Sequence, residues 1–209
     1  MKKAYLSFRS GLLAAIIFLF ASSAGYSQGF SSIANLNSLS VSAITGEKPQ
    51  SKVWTYAGRW FMVMPNSSGT QIWRLDGTAW TSVLNIDAST SALADCKAVG
   101  SITHILLFKG SSSSLVSVQY VPASNTYQLW TTRSTTVPIT LDSNVETATI
   151  DIDGNGRMWL ASDASTDINV RWSDSPYSTW SGAIPIGACG TDDICAVTAF
   201  NGNIGVLWS

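Results

Sequence analysis

Charge is scarce in this 209-residue chain, at 12% of residues. Only two glutamates occur, Glu47 and Glu146, and only one histidine, His104. With Glu, Lys and Arg this sparse, long surface helices lack their usual formers. There is no basic tract, which excludes an electrostatic footprint for nucleic acid. One histidine and no C-x-x-C pair argue against a zinc site. The longest strongly apolar run, Leu12–Phe20, is nine residues, and a spanning helix needs roughly 20. What the chain does hold is Thr, Ser, Val, Ile and nine tryptophans, which is a β composition.

The first residues are Met1-Lys2-Lys3, with a further base at Arg9 and no acid before Glu47. The apolar run follows, then the small residues Ala21-Ser22-Ser23-Ala24-Gly25. A basic, an apolar and a small-residue region in this order predict a secretory signal over residues 1–27, cleaved near Ala24 to Gln28. The protein is thus expected outside the cytoplasm, secreted or at the cell surface, with no transmembrane segment after cleavage. A lipid anchor is not expected, because the first cysteine is Cys96. Without Lys2, Lys3 and Arg9, nine bases face 13 acids, so the mature chain carries about −4. Export permits disulfides. The short loop Cys189-Gly190-Thr191-Asp192-Asp193-Ile194-Cys195 predicts a Cys189–Cys195 bond, with Cys96 free and buried.

Residues 28–48 are rich in Ser, Asn and Ala and are expected to be a linker. Beyond them, short β-rich runs alternate with Gly, Ser, Asn and Asp turns, and no stretch has a helical period. Four runs align on a glycine, at Gly58, Gly100, Gly156 and Gly202. A second alignment fixes on Trp80, Trp130 and Trp180, each fifty residues apart. Each unit then holds four strands in about 45–55 residues, as a propeller blade does.

The expected fold is all-β, an incomplete β-propeller over 49–209 of about three and a half four-stranded blades. The blades fall near 50–87, 92–140, 144–187 and 192–209. A β-sandwich is the alternative. A propeller closes its ring to remove free edges, so missing blades or another chain are expected to complete it.

The turns Leu75-Asp76-Gly77-Thr78-Ala79-Trp80 and Ser173-Asp174-Ser175-Pro176-Tyr177-Ser178-Thr179-Trp180 resemble degenerate Asp-boxes, S-x-D-x-G-x-x-W, of the sialidase-like (BNR-repeat) propellers. The first has Arg74 where serine is expected, the second has a longer gap, and the Trp130 unit lacks the aspartate. The resemblance implies that Asp76 and Asp174 are structural turn residues, accepting turn amide protons while the tryptophan enters the core. It implies fold rather than sialidase activity.

A sialidase-type site needs an arginine triad, a tyrosine–glutamate pair and an acid–base aspartate. Arg59 and Arg157 follow the turn glycines, at the end opposite to the family's ligand face, and Glu146 is the sole glutamate in the blades. No catalytic residue is assigned. Asp151, Asp153 and Asn155 fit the first half of a calcium loop, but Ser162 stands where a bidentate glutamate is needed. A tight turn is the favoured reading, and neither metal nor cofactor is assigned. His104 lies in the apolar run Ile102–Phe108 and reads as a packed strand residue. The expected ligand face carries small polar loops, among them the cysteine-bounded one with Asp192 and Asp193. These observations point to a non-catalytic secreted or cell-surface module for a glycan or protein ligand. The alternatives are a fragment of a sialidase-type glycoside hydrolase with its catalytic residues elsewhere, and a structural repeat spacer.

Overall fold

A computed structural model describes residues 34–44, 48, 50–190 and 192–209. The signal-peptide reading of residues 1–27 lies outside the described residues. Leu36–Ser209 form one compact unit, which is all-β among the described residues.

Its strands form four antiparallel sheets in chain order, none closed on itself. Sheet 1 is β1 (Val53–Tyr56), β2 (Arg59–Asn66), β3 (Gly69–Asp76) and β4 (Ala79–Asp87). Sheet 2 is β5 (Leu93–Val99), β6 (Ile102–Phe108), β7 (Ser112–Val121) and β8 (Thr126–Leu129), with β9 (Val137–Thr140) also paired to β7. Sheet 3 is β10 (Ala148–Ile152), β11 (Met158–Ser162), β12 (Asp167–Ser173) and β13 (Ile184–Ala188). Sheet 4 is the pair β14 (Cys195–Phe200) and β15 (Asn203–Trp208). Sheets 1, 3 and 4 are meanders in which consecutive strands pair, and sheet 2 departs from this only at β9, which pairs with β7 rather than with β8.

The repeated glycines open these meanders. Tyr56 pairs with Arg59 and Phe200 with Asn203, leaving the two-residue turns Ala57-Gly58 and Asn201-Gly202. All four turn residues have positive φ, from 47° to 75°. That conformation matches strand twist in a tight hairpin and favours Gly and Asn. Gly100 is displaced by one place, since Val99 pairs with Ile102 and Gly100 comes first in its turn. Gly156 sits in a longer connection between Ile152 and Met158.

The core lies between sheets, in three layers. Trp54, Phe61, Val63 and Ile72 of sheet 1 meet Ile105, Leu107, Val116 and Val118 of sheet 2. Leu106, Phe108 and Leu115, from the opposite face of sheet 2, meet Ile150, Met158 and Leu160 of sheet 3. Ala161, Ile168 and Val170 meet Cys195 and Val197 of sheet 4. The run Ile105-Leu106-Leu107 is fully buried because alternate side chains serve different layers. Burying each such side chain is worth roughly 1.5–3 kcal/mol.

The three tryptophans at fifty-residue spacing do not share one position. Trp80 lies within β4, Trp130 directly follows β8, and Trp180 lies in the link from β12 to β13. Trp130 and Trp180 both pack on the layer between sheets 2 and 3.

Candidate functional site

The first strands of the sheets stand side by side, and polar atoms tie them together. The Cys96 amide donates to the carbonyl of Ser51 at 2.7 Å. Asp95 in β5 accepts from the amide of Ser51, before β1, at 2.5 Å. Its other oxygen accepts from the Ile150 amide of β10 at 2.7 Å. One carboxylate therefore ties sheet 2 to sheet 3 and to the segment that enters sheet 1. Thr149 Oγ1 and Asp151 Oδ2 accept from the Val197 and Ala199 amides of β14, at 2.9 and 2.7 Å. Lys97 of β5 forms an ion pair with Asp151.

Between these strands lies a cleft of about 260 Å³, lined by Ser51, Asp95, Lys97, Thr149 and Asp151 together with apolar neighbours. Burial raises the Asp95 carboxyl from its ordinary value to about 6; the two amides and Lys52 pull the other way without cancelling the desolvation. Burial also pushes the Cys96 thiol well up, keeping it protonated and unreactive. The site thus offers a fixed carboxylate at Asp151, a cation at Lys97, a hydroxyl at Thr149 and a proton-holding group at Asp95. It can orient a polar ligand by hydrogen bonds, but a nucleophile–base pair is not among its lining residues.

Sequence reasoning missed Asp95. The available signal was a carboxylate set among apolar residues of a strand, Leu93-Ala94-Asp95-Cys96, two places before Lys97. What that carboxylate does depends on β1 and β10, which no local pattern places beside it.

The Cys189–Cys195 bond expected from spacing is not formed, and all three cysteines are free. Cys189 directly follows β13 of sheet 3 and Cys195 opens β14 of sheet 4, so the two cysteines flank the link from one sheet to the next. The Cys189 thiol donates to the Ala164 carbonyl at 3.2 Å instead. The Cys195 thiol is pushed up to about 12, chiefly by burial. Asp192 is exposed. Asp193 accepts from the Gly190 amide at 2.7 Å, and neither aspartate lines the cleft.

The Asp-box expectation also changes in its chemistry. The carboxylates of Asp76 and Asp174 are taken up by guanidinium groups, where the resemblance implied turn amides. Arg74 binds Asp76 through two bonds of 2.8 and 2.9 Å, with Arg59 at 3.5 Å. Arg157 binds Asp174 through bonds of 2.8 and 3.0 Å and lies 3.9 Å above the Trp172 ring. The other described arginines lie elsewhere. Arg171 bonds Asp142 at 2.9 Å, and Arg133 is buried against the Pro176 carbonyl at 2.9 Å and Ser117.

Asp151 and Asp153 serve separate networks. Asp153 accepts from the Asn155 and Arg157 amides and from Trp159 Nε1, at 2.9, 3.1 and 2.9 Å. That arrangement closes the turn that the Asp, Asn and Gly residues suggested. Ser162 is buried and bonds Arg171 at 3.3 Å. Glu146 pairs with Lys48 at 2.8 Å. His104 Nδ1 shares a proton with Ser117 Oγ at 2.8 Å, and its ring sits edge-on to Trp130 and Tyr177. Burial, with Arg133 nearby, lowers the histidine to about 4. This Ser–His pair is sealed from solvent, so it is a neutral packing element.

No protein-family model matches the sequence, and no curated protein matches it.

Proposed function

We propose that the four sheets are blades of a β-propeller of the sialidase-like kind, and that the exported chain is a non-catalytic module binding a glycan or protein ligand. The observation carrying this reading is the side-by-side order of β1, β5, β10 and β14 around one polar cleft. A propeller's innermost strands stand in that way around its axis. Asp76 and Asp174 keep the place of an Asp-box aspartate, each at the turn before a fourth strand, although their carboxylates bind Arg74 and Arg157 rather than turn amides. A binding role is supported by the way reactive groups are spent. His104 and Ser117 bond each other in the core, and the arginines are spread over separate places, Arg59 and Arg74 at Asp76, Arg157 at Asp174, Arg171 at Asp142 and Arg133 in the core. The cleft and the small polar loops offer hydrogen-bonding groups of the type that sugars and peptide backbones use.

The test is a binding screen of the full chain on immobilised oligosaccharides and on extracellular protein extracts, run beside hydrolysis of fluorogenic sialosides. Specific retention without turnover is expected, with retention reduced at least about tenfold, or 1.4 kcal/mol, by Asp151→Asn. Sialoside turnover that tracks the purified chain would overturn the non-catalytic reading.

A further inference from the structure

Four polar side chains at the cleft come in two pairs. Asp95 and Lys97 are two places apart on β5, and Thr149 and Asp151 two places apart on β10, so each pair projects from one face of its strand. Each of the four makes a bond between sheets. Asp95 holds the Ser51 and Ile150 amides, and Thr149 Oγ1 holds the Val197 amide. Asp151 holds the Ala199 amide, the Ile152 amide at 2.7 Å and the Lys97 ammonium.

Those bonds do not exhaust the groups. An ammonium carries about three N–H donors and a carboxylate about four acceptor sites. Lys97 therefore keeps donors beyond its bond to Asp151, and Asp151 keeps an acceptor site beyond its bonds to Lys97, Ile152 and Ala199. The Thr149 hydroxyl accepts from Val197 and keeps its own hydrogen to donate. Because Lys97 and Asp151 touch, their remaining donor and acceptor lie side by side in the cleft wall.

The charges in and beside the cleft balance in pairs. Lys97 answers Asp151, and Lys52 is the cation whose field acts on Asp95. Lys52 Nζ also donates to the Gln50 carbonyl at 3.0 Å. An anionic ligand would have to draw a lysine from its carboxylate, and a cationic one would meet Lys97, so neither recovers its desolvation cost. An uncharged ligand whose neighbouring atoms both donate and accept matches the remaining valences, and that is the chemistry of adjacent hydroxyls. A primary amide offers one donor group and one acceptor, whereas a pyranose ring carries a row of hydroxyls and reaches Thr149 as well. At about 260 Å³ the cleft is smaller than the roughly 300–1,000 Å³ of sites for drug-sized molecules, so it admits a single ring. Ile150, Ala196 and Val197 give that ring an apolar wall for its C–H side.

We propose that the cleft holds the terminal ring of an uncharged glycan, in which two adjacent hydroxyls bridge Lys97 and Asp151, one accepting from the ammonium and the other donating to the carboxylate. Thr149 donates to a further oxygen of the same ring. This assignment rests on the binding-module reading and narrows its ligand. It also sets the cleft apart from a sialic-acid site, because a sugar carboxylate finds no unpaired cation among the lining residues.

The test titrates the isotope-labelled full chain with the methyl glycosides of glucose, galactose and mannose, beside N-acetylneuraminic acid and N-acetylglutamine amide, and follows the backbone amide signals by NMR. At least one uncharged glycoside is expected to move the Ile152, Val197 and Ala199 signals, whose amides bond the acceptors of the site. The acid and the amide probe should leave them in place. Analogues of that glycoside lacking one hydroxyl of the bridging pair should bind at least about tenfold more weakly, as should Lys97→Met and Asp151→Asn. An otherwise unchanged spectrum shows that each variant is folded. No shift at the cleft from any glycoside, equal affinity for the deoxy analogues, or tighter binding of the acid or the amide would each overturn the proposal. Retention of the chain on oligosaccharides or protein extracts without a cleft shift would overturn it too, while leaving the binding-module reading intact. Sialoside turnover falls on that reading instead, whatever the cleft signals do.

Discussion

The first strands of these sheets and the turns after their third strands use carboxylates in opposite ways. On β5 Asp95 is 4% exposed and accepts the amides of Ile150 in β10 and of Ser51 before β1. At the turns Asp76 and Asp174 lie near solvent and meet arginines. Burial raises the Asp95 carboxyl to about 6. Arg74 lowers Asp76 and Arg157 lowers Asp174. The same functional group is thus poorly solvated where it joins sheets and well solvated where it trims a turn. Two amide bonds do not outweigh desolvation at the first place, and one guanidinium suffices at the second.

The largest expected effect is at Asp95 on the first strand of sheet 2. At pH 5, where the Asp95 carboxyl is mostly neutral, Asp95→Ala orphans the Ser51 and Ile150 amides. The cost should be about 2–5 kcal/mol, measured by urea unfolding. The loss should shrink as pH rises through 6, because the removed group is then an ionised one that burial disfavours. A constant cost from pH 5 to 8 would mean that Asp95 is better solvated than its surroundings indicate.

Next comes the pH profile of stability. The folded chain holds an extra proton on Asp95 between the ordinary 3.8 and about 6, so this group makes stability fall as pH rises across that window. His104 is lowered from 6.5 to about 4. The unfolded chain therefore holds the extra proton there, and stability rises with pH between those values. The two slopes, each at most about 1.4 kcal/mol per pH unit, should largely cancel from pH 4 to 6. Asp95→Asn should unmask the rising slope and His104→Gln the falling one. Parallel profiles for both variants would break the contrast.

Smaller still is the turn effect. Gly202 has φ +75° with open space around it, so Gly202→Ala should cost about 1–2 kcal/mol through backbone strain alone. The smallest effect belongs to the turn after β12. Asp174→Asn leaves a solvated turn, and its unfolding midpoint should match that of the parent chain. A large drop there would show that Arg157 and Trp172 need the carboxylate to hold the corner.

Much of the fold was legible because strand alternation and turn glycines are local signals. Gly58 and Gly202 mark turns whose φ values require them. The Gly100 displacement was not legible, since one residue's shift in register follows from pairing with Ile102 rather than from the glycine. The tryptophan spacing suggested one repeated role, yet Trp80 and Trp180 sit in different elements. Seven-residue proximity suggested a Cys189–Cys195 bond, but the two thiols belong to different sheets.

By itself the sequence determined the all-β class, the order of the meanders and the place of their turns, because hydrogen-bonded hairpins are settled between neighbours in the chain. Only the tertiary structure decided which faces meet and where Asp95, Lys97 and Asp151 converge. Asp95 and Lys97 lie on β5 and Asp151 on β10, strands of different sheets, and it is the packing of apolar faces between the sheets that sets their separation and strips the two carboxylates of water.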